Sequence, residues 1–388
     1  MMIDKANFGR IHLFYLGCLA ETIAPCLRLV GRLRSQGVVT EPNKWCKGLI
    51  LGSHHLGDVL WRTNSLDVLK QHYPACEWYY LCSTYSEPVL RRNPALRQIL
   101  PFYNPSGRRR ISFANCRILH RMRFDVALCT EKYQYHQDVL LSVRLGIPNI
   151  VAYTYKGFSK LVTNPIPLSA RKPYPAYFRD YVAHLTGAQP SWSLMPKLYL
   201  DEIAHNEAVD FICRKKIQEN LPLMAVFVGF RTRQWFFSSR QIARIIRMMY
   251  HNYGIQVVLC GIKADEAELM AIAQDSQVPV VITAGDLSIR GLASLMKRCS
   301  LVFCPDSGPR HIANAVGTPL VFVRNLFSDP VETGSYCSNE LDLAAGLDFD
   351  GLRKPPSEDL PLSMSAVEEA LSTEINSRPE TTGTNCQK

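Results

Sequence analysis

Three segments of this chain place polar side chains just past an apolar run, where a strand would hand over to a helix. The first is Leu51-Gly52-Ser53-His54-His55-Leu56-Gly57-Asp58-Val59-Leu60. Gly52 lets the chain turn, and a helix is expected to begin at or just after Asp58. A carboxylate there has two uses. It suits the positive end of a helix dipole as an N-cap; at the carboxyl edge of a parallel sheet it could equally act as a general base. His54 and His55 are adjacent and so point apart. They do not form a chelating pair by spacing, but either is a candidate ligand contact or a solvated loop residue.

The second segment is Val228-Gly229-Phe230-Arg231-Thr232-Arg233-Gln234-Trp235. Two arginines beside a turn of phosphate size could neutralise a diphosphate, because a guanidinium makes bidentate contacts to phosphate oxygens. A solvated basic loop is the alternative. The third runs from Cys304-Pro305-Asp306-Ser307-Gly308-Pro309-Arg310-His311 to Gly317-Thr318-Pro319. Here an apolar run meets a small-residue turn and a short helix closed by Gly317 and Pro319. Asp306 could cap that helix. Backbone N–H groups at Ser307 and Gly308 could cradle a phosphate. His311 lies inside the helix and faces either ligand or core.

Elements of a parallel α/β protein must hold these segments, because apolar runs alternate with longer helical patterns. Strands are expected at 48–52, 78–82, 99–102, 126–129 and 150–153, with a helix over 59–72. Residues 163–198 are rich in proline and read as irregular structure leading toward a domain connection. The pattern then restarts, with a helix near 202–219 and strands at 224–228, 256–260, 278–282, 301–304 and 320–323. Further helices fall near 238–252, 264–274, 289–298 and 309–316; residues 334–362 look loop-like before a last helix near 365–375. Two α/β domains facing across a cleft are the expected result, and such a cleft is the usual place for a ligand.

The 388 residues are 47% hydrophobic and 20% charged, which is globular rather than disordered. The formal net charge is +10, and its distribution is uneven. Residues 1–125 hold 18 Lys+Arg against 8 Asp+Glu, while residues 126–388 hold 26 against 26. The excess therefore lies in the first third, which points to an anionic partner on that side. Arg91, Arg92 and Arg108 to Arg110 are candidate contacts. The 13 cysteines show no C-x-x-C pair, which favours buried thiols over a disulfide framework or zinc site. No run reaches the length of a spanning helix; residues 1–46 are either a membrane-surface helix or an ordinary packing helix. No P-loop, G-x-S-x-G, H-E-x-x-H or dinucleotide fingerprint is present, and no nucleic-acid recognition motif accompanies the basic third.

Together the three segments resemble glycosyltransferase family 9, the ADP-heptose:lipopolysaccharide heptosyltransferases. Leu56-Gly57-Asp58-Val59-Leu60, with Thr63, Leu66, Leu69-Lys70 and Tyr73-Pro74, looks like the family's N-terminal signature. Arg233 stands where its Lys-x-Trp loop has lysine, with Trp235 retained. Asp306-Ser307-Gly308-Pro309-x-His311-x-Ala313-x-Ala315-x-Gly317-Thr318-Pro319 is the most specific match. The phosphate-loop hydroxyls and the aromatic-Gly-Pro segment after the last motif differ, with Val323-Arg324-Asn325 in the latter place.

The resemblance implies a GT-B fold of two Rossmann-like domains: an acceptor domain over 47–200 and a nucleotide-sugar domain over 201–362. These are flanked by a 1–46 extension, a helix at 363–376 and a disordered tail at 377–388. It implies an inverting, metal-independent transfer with no cofactor, with Asp58 as base. Arg233, Thr232, Asp306, Ser307 and Gly308 would hold the donor phosphates; Asp265, Glu266 and His311 would meet the nucleoside or sugar. Gly57, His55, Arg62, Arg91 and Arg92 would meet the acceptor. The implied donor is a nucleotide-diphosphate sugar, ADP-heptose first; the acceptor is an anionic lipid-linked saccharide on the cytoplasmic face of the inner membrane. A non-heptose donor, or an inactive nucleotide-sugar-binding protein, is the alternative.

Overall fold

The computed structural model describes residues 42–53, 55–103, 111–133, 135–154, 158–228, 237–324, 329–343 and 364–376. The chain divides into two compact units. One takes the described residues up to Arg171 together with Pro175–Ser193; the other takes Lys172–Tyr174 and the described residues from Leu194 onward.

The first unit is built on β1 (Lys47–Leu51), β2 (Glu77–Ser83), β3 (Gln98–Tyr103), β4 (Val126–Cys129), β5 (Asn149–Tyr153) and β6 (Asn164–Ile166). All neighbours are parallel, in the order β3-β2-β1-β4-β5-β6. The central strands are buried along nearly their whole length, as a sheet covered on both faces requires. Its helices are α1 (Leu56–Trp61), α2 (Leu66–His72), α3 (Phe113–Met122), α4 (Tyr135–Leu145) and α5 (Tyr174–Thr186).

The second unit starts with α6 (Glu202–Lys215). It then alternates β7 (Leu223–Phe227), α7 (Ser239–Tyr253), β8 (Gln256–Cys260), α8 (Glu266–Ser276), β9 (Val280–Ile282) and α9 (Ile289–Arg298). It continues through β10 (Leu301–Pro305), α10 (Gly308–Val316), β11 (Leu320–Val323), α11 (Pro330–Thr333), β12 (Glu340–Asp342) and α12 (Met364–Asn376). Its sheet, β12-β11-β10-β7-β8-β9, repeats the order of the first when read in reverse. In each sheet the chain winds outward from its first strand to one side, then returns to the other. A switch point therefore lies between β1 and β4, and another between β7 and β10.

Helix α7 shows how sequence makes these elements. Ile242, Ile245, Ile246 and Met249 recur at helical spacing and are wholly buried. Ser238 and Gln241 close a capping box at its start, and Gly254 takes a left-handed φ of 61° at its end. The same core reaches α12 through Val367 and Leu371.

Three expectations are corrected. The helix expected over 59–72 is interrupted by a 3-10 turn at Arg62–Ser65, between α1 and α2. Residues 163–198 are not irregular throughout: they contain β6 and the 13-residue α5. The prolines sit where both elements tolerate them, Pro165 in the edge strand and Pro175 in the first turn of the helix. Strand β12 lies in the stretch expected as loop. Its alternate residues, Glu340 and Asp342, are buried carboxylates bound to arginines, so no apolar pattern marks it. Helices α3 and α4 were not expected from the pattern. The described cysteines are free thiols, most of them buried. No helix among the described residues is long and apolar enough to cross a membrane.

Candidate functional site

In the first unit, the residues singled out by sequence gather where β1 ends beside β4. Gly52 passes so close to its neighbours that an added Cβ would lie 2.9 Å from the Tyr80 hydroxyl and 3.2 Å from Thr130 Oγ1. Ser53 Oγ accepts from the His55 N–H at 3.2 Å, and His55, in extended conformation, is the N-cap residue of α1. Asp58 is therefore not the cap. It is the third residue of the helix, and its partly exposed carboxylate makes no hydrogen bond or ion pair with any described residue. Gly57 is buried at its side, and His54 lies outside the described residues.

Beneath Asp58 lies an ion pair. Arg62, 2% exposed, donates through Nη1 to the Asp58 carbonyl oxygen at 2.7 Å and through Nη2 to Glu131 Oε1. Its guanidinium also lies 4.2 Å from the Trp61 ring centroid. Glu131 comes just after β4, so the pair bridges the two strands flanking the switch point. Arg62, expected at the acceptor, is thus placed as a strut beneath the helix that carries Asp58. Glu131 was missed by sequence reasoning. The available signal was its position, one step past Thr130 at the carboxyl end of β4.

Arg91 and Arg92 are exposed in the connection between β2 and β3, not at the β1–β4 edge. Arg91 makes a bidentate pair with Glu87, with contacts of 2.7 and 2.9 Å. The expectations for Arg108 to Arg110, Arg231, Thr232, Arg233 and Trp235 fall outside the described residues.

In the second unit, β10 runs into Asp306 and Ser307, and α10 begins at Gly308. Ser307 is the N-cap but makes no side-chain cap; its hydroxyl donates back to the Pro305 carbonyl at 3.4 Å. No serine side chain thus occupies the start of α10, and a helix start of this kind offers N–H groups to an anion.

Behind it lies Arg310, a buried arginine that sequence reasoning passed over. It donates to Glu340 Oε2 at 2.8 Å and Oε1 at 3.1 Å, and to Asp306 Oδ1 at 2.9 Å. It also donates to the Thr333 and Gly334 carbonyls at 2.7 and 2.6 Å, and it stacks 3.7 Å over Phe322. Glu340 also accepts from Asn314 Nδ2 and from the N–H groups of Tyr336 and Cys337. Burial alone would raise its pKa, but Arg310 and these donors outweigh burial and hold it below the ordinary value. Asp306 shares Arg310 and has fewer donors, so burial wins and its carboxyl sits above the ordinary value. Asp306 is thereby fastened to the arginine that anchors α10, rather than left to a ligand.

His311 stacks on Tyr336 at 5.7 Å between centroids, with Nδ1 2.6 Å from the hydroxyl. Burial, then the nearby Arg310 charge, pushes its pKa down to about 3, so the ring is neutral. Asp265 and Glu266 sit past the carboxyl end of β8, the strand beside β7. Asp265 accepts from the Ile262 N–H at 3.1 Å, and Glu266 pairs with Lys263 at 2.7 Å.

Comparison with known proteins gives these sites a context. The family model for glycosyltransferase family 9 (heptosyltransferase) matches residues 240–344. The lipopolysaccharide core heptosyltransferase OpsX of Haemophilus influenzae is 31% identical over 136 residues, covering 33% of this chain but only 38% of that relative. Lipopolysaccharide heptosyltransferase 3 of Escherichia coli is 24% identical over 284 residues, covering 68% of this chain and 79% of that one. Among solved structures, a glycosyl transferase family 9 protein from Veillonella parvula superimposes with a TM-score of 0.73 at 18% identity, over 87% of this chain and 99% of the other.

Proposed function

We propose that the chain, which has the two-domain GT-B fold, is a divergent member of glycosyltransferase family 9 and that it transfers a heptose from a nucleotide-diphosphate sugar. ADP-heptose is the favoured donor. The proposed acceptor is a lipopolysaccharide core or a similar anionic lipid-linked saccharide, reached at the cytoplasmic face of the inner membrane.

The observation that carries this reading is the Asp58 carboxylate: partly exposed, unpaired among the described residues, and set past the carboxyl end of β1 at the first sheet's switch point. A base there takes the proton from the acceptor hydroxyl as its oxygen attacks the anomeric carbon. The bond to the nucleotide diphosphate breaks on the opposite face, and the leaving group departs with the electron pair. The configuration inverts. Arg62 and Glu131 hold the backbone of the helix that aims this carboxylate.

In the second unit, the N-terminal N–H groups of α10 at Ser307 and Gly308, together with Arg233 and Thr232, would receive the diphosphate charge without a metal. Asp265 or Glu266, past β8, would approach the ribose, as an acidic residue does in related nucleotide sites. Asp306 and His311 would act through Arg310 and Tyr336, to which Asp306 Oδ1 and His311 Nδ1 are bonded.

Substituting Asp58 with Asn is the test. Transfer should fall by about a thousandfold, the scale of a lost general base, while calorimetry finds donor affinity unchanged. Wild-type turnover in that variant would sink the assignment. A second reading, a donor sugar other than heptose, draws on Arg324. It stands in the segment that departs from the family, is buried, and pairs with Asp342 at 3.2 Å.

A further inference from the structure

The first unit carries a charged surface to which the proposed transfer assigns no role. Between α3 and α4 runs a groove of about 590 Å³, lined by Phe113, Cys116, Arg117, His120, Arg121 and Arg144, among others. Arg117, Arg121 and Arg144 are exposed, and none makes a hydrogen bond or ion pair with any described residue. Helix α3 contains no acidic residue, and the single one in α4, Asp138, is buried. The face therefore presents uncompensated positive charge.

The same face is apolar where it should be polar. Phe113 is 69% exposed, and Ile118 and, on α4, Leu140 are 45% and 40% exposed. At 100° per residue, Phe113, Arg117 and Arg121 form one stripe along α3, with Ile118 beside it. The inner face of the helix is satisfied by Cys116 and Leu119, which are buried. Burial in the unit thus does not explain the outer apolar residues.

We infer that this α3–α4 face is the surface by which the protein rests on an anionic phospholipid leaflet. Exposed arginines meet lipid phosphates, and the interleaved Phe113 and Ile118 enter the headgroup boundary, where amphipathic side chains are stabilised. A free phosphate would use the arginines but not the exposed aromatic and aliphatic side chains. The inference deepens the proposed function, which sets the acceptor in a membrane, but it concerns a surface separate from Asp58 and its partners.

The test is co-sedimentation of the full chain with vesicles of phosphatidylcholine, with and without a phosphatidylglycerol fraction. The wild type should bind only the anionic vesicles, and added salt should release it. The triple variant R117Q/R121Q/R144Q should bind roughly a hundredfold more weakly, since each basic residue near an anionic surface is worth about fivefold. F113Q should weaken binding severalfold at low salt, which no purely electrostatic contact would show. Thermal melting of each variant checks that folding is kept.

Equal vesicle binding by wild type and triple variant would overturn the assignment. So would arginine-dependent binding to single-stranded RNA, or arginine-dependent self-association, without vesicle binding. Vesicle binding needs neither donor nor acceptor, and D58N should bind vesicles as the wild type does. An error in the transfer reaction therefore leaves this result standing, and the reverse also holds.

Discussion

At the scale of single residues, the first unit treats the backbone and the side chain of one aspartate differently. Asp58 keeps its carboxylate uncommitted, while its backbone carbonyl is held by Arg62. Arg62 in turn is satisfied by Glu131 across the switch point. Replacing Arg62 with Ala takes the guanidinium away from Glu131 and from the Asp58 carbonyl and leaves the space it filled. Breaking a buried pair by removing one partner costs about 3 kcal/mol, readable as a lowered urea midpoint. If Asp58 is the base as proposed, turnover should fall with KM little changed, because the carboxylate would be misaligned rather than the acceptor lost. Unchanged stability and turnover in that variant would show the pair to be incidental.

At the scale of elements, α10 is held by its rear and leaves its front open. Arg310, one turn in, ties Asp306, Glu340 and the carbonyls of Thr333 and Gly334 together, so the helix start is fixed without a side-chain cap. At its far end Gly317 takes φ 75° and ends the helix. His311 completes the packing as a neutral ring against Tyr336. Its pKa is about 3 folded against an ordinary 6.5, so the unfolded chain takes up the proton first. Its contribution to stability is whole above about pH 6.5 and is lost as pH falls toward 3. Urea midpoints at pH 7 and pH 5 should differ more for the wild type than for His311→Gln. Equal pH dependence in the two would mean the ring is protonated in the fold without penalty.

At the scale of the whole molecule, two units with the same strand order present different polar groups at their switch points. The difference lies in the residues just past the first and fourth strand of each sheet. After β1 and β4 come Asp58 and Glu131; after β10 comes a helix start backed by a buried arginine. A donor that binds the second unit should stabilise the fold by mass action. At a hundred times its Kd, a ligand adds about 2.7 kcal/mol, a clear rise in Tm. ADP and ADP-sugars should raise Tm in the wild type and equally in D58N, with UDP- and GDP-sugars weaker. No shift with any of them would remove the donor-site assignment; a larger shift with another nucleotide would redirect it.

Much of this was legible in the amino-acid order. Strands β4, β8 and β11 fall where apolar runs of four or five residues place them, because a strand covered on both faces must be apolar throughout. The strand–turn–helix spacing around Asp58 and Ser307 was legible for the same reason: glycine, proline and small polar residues punctuate in one dimension. The rest depended on partners distant in sequence. Nothing near Arg62 announces Glu131, 69 residues on, or near Arg310 announces Glu340, 30 residues on. Strand β12 stayed hidden because its inward residues are charged and become acceptable inside only once their arginines arrive. Local order thus determined the elements and the candidate chemistry. The fold alone decided which charges are spent in pairs and which, like Asp58, stay unpaired among the described residues, because burial and pairing are properties of the assembled structure.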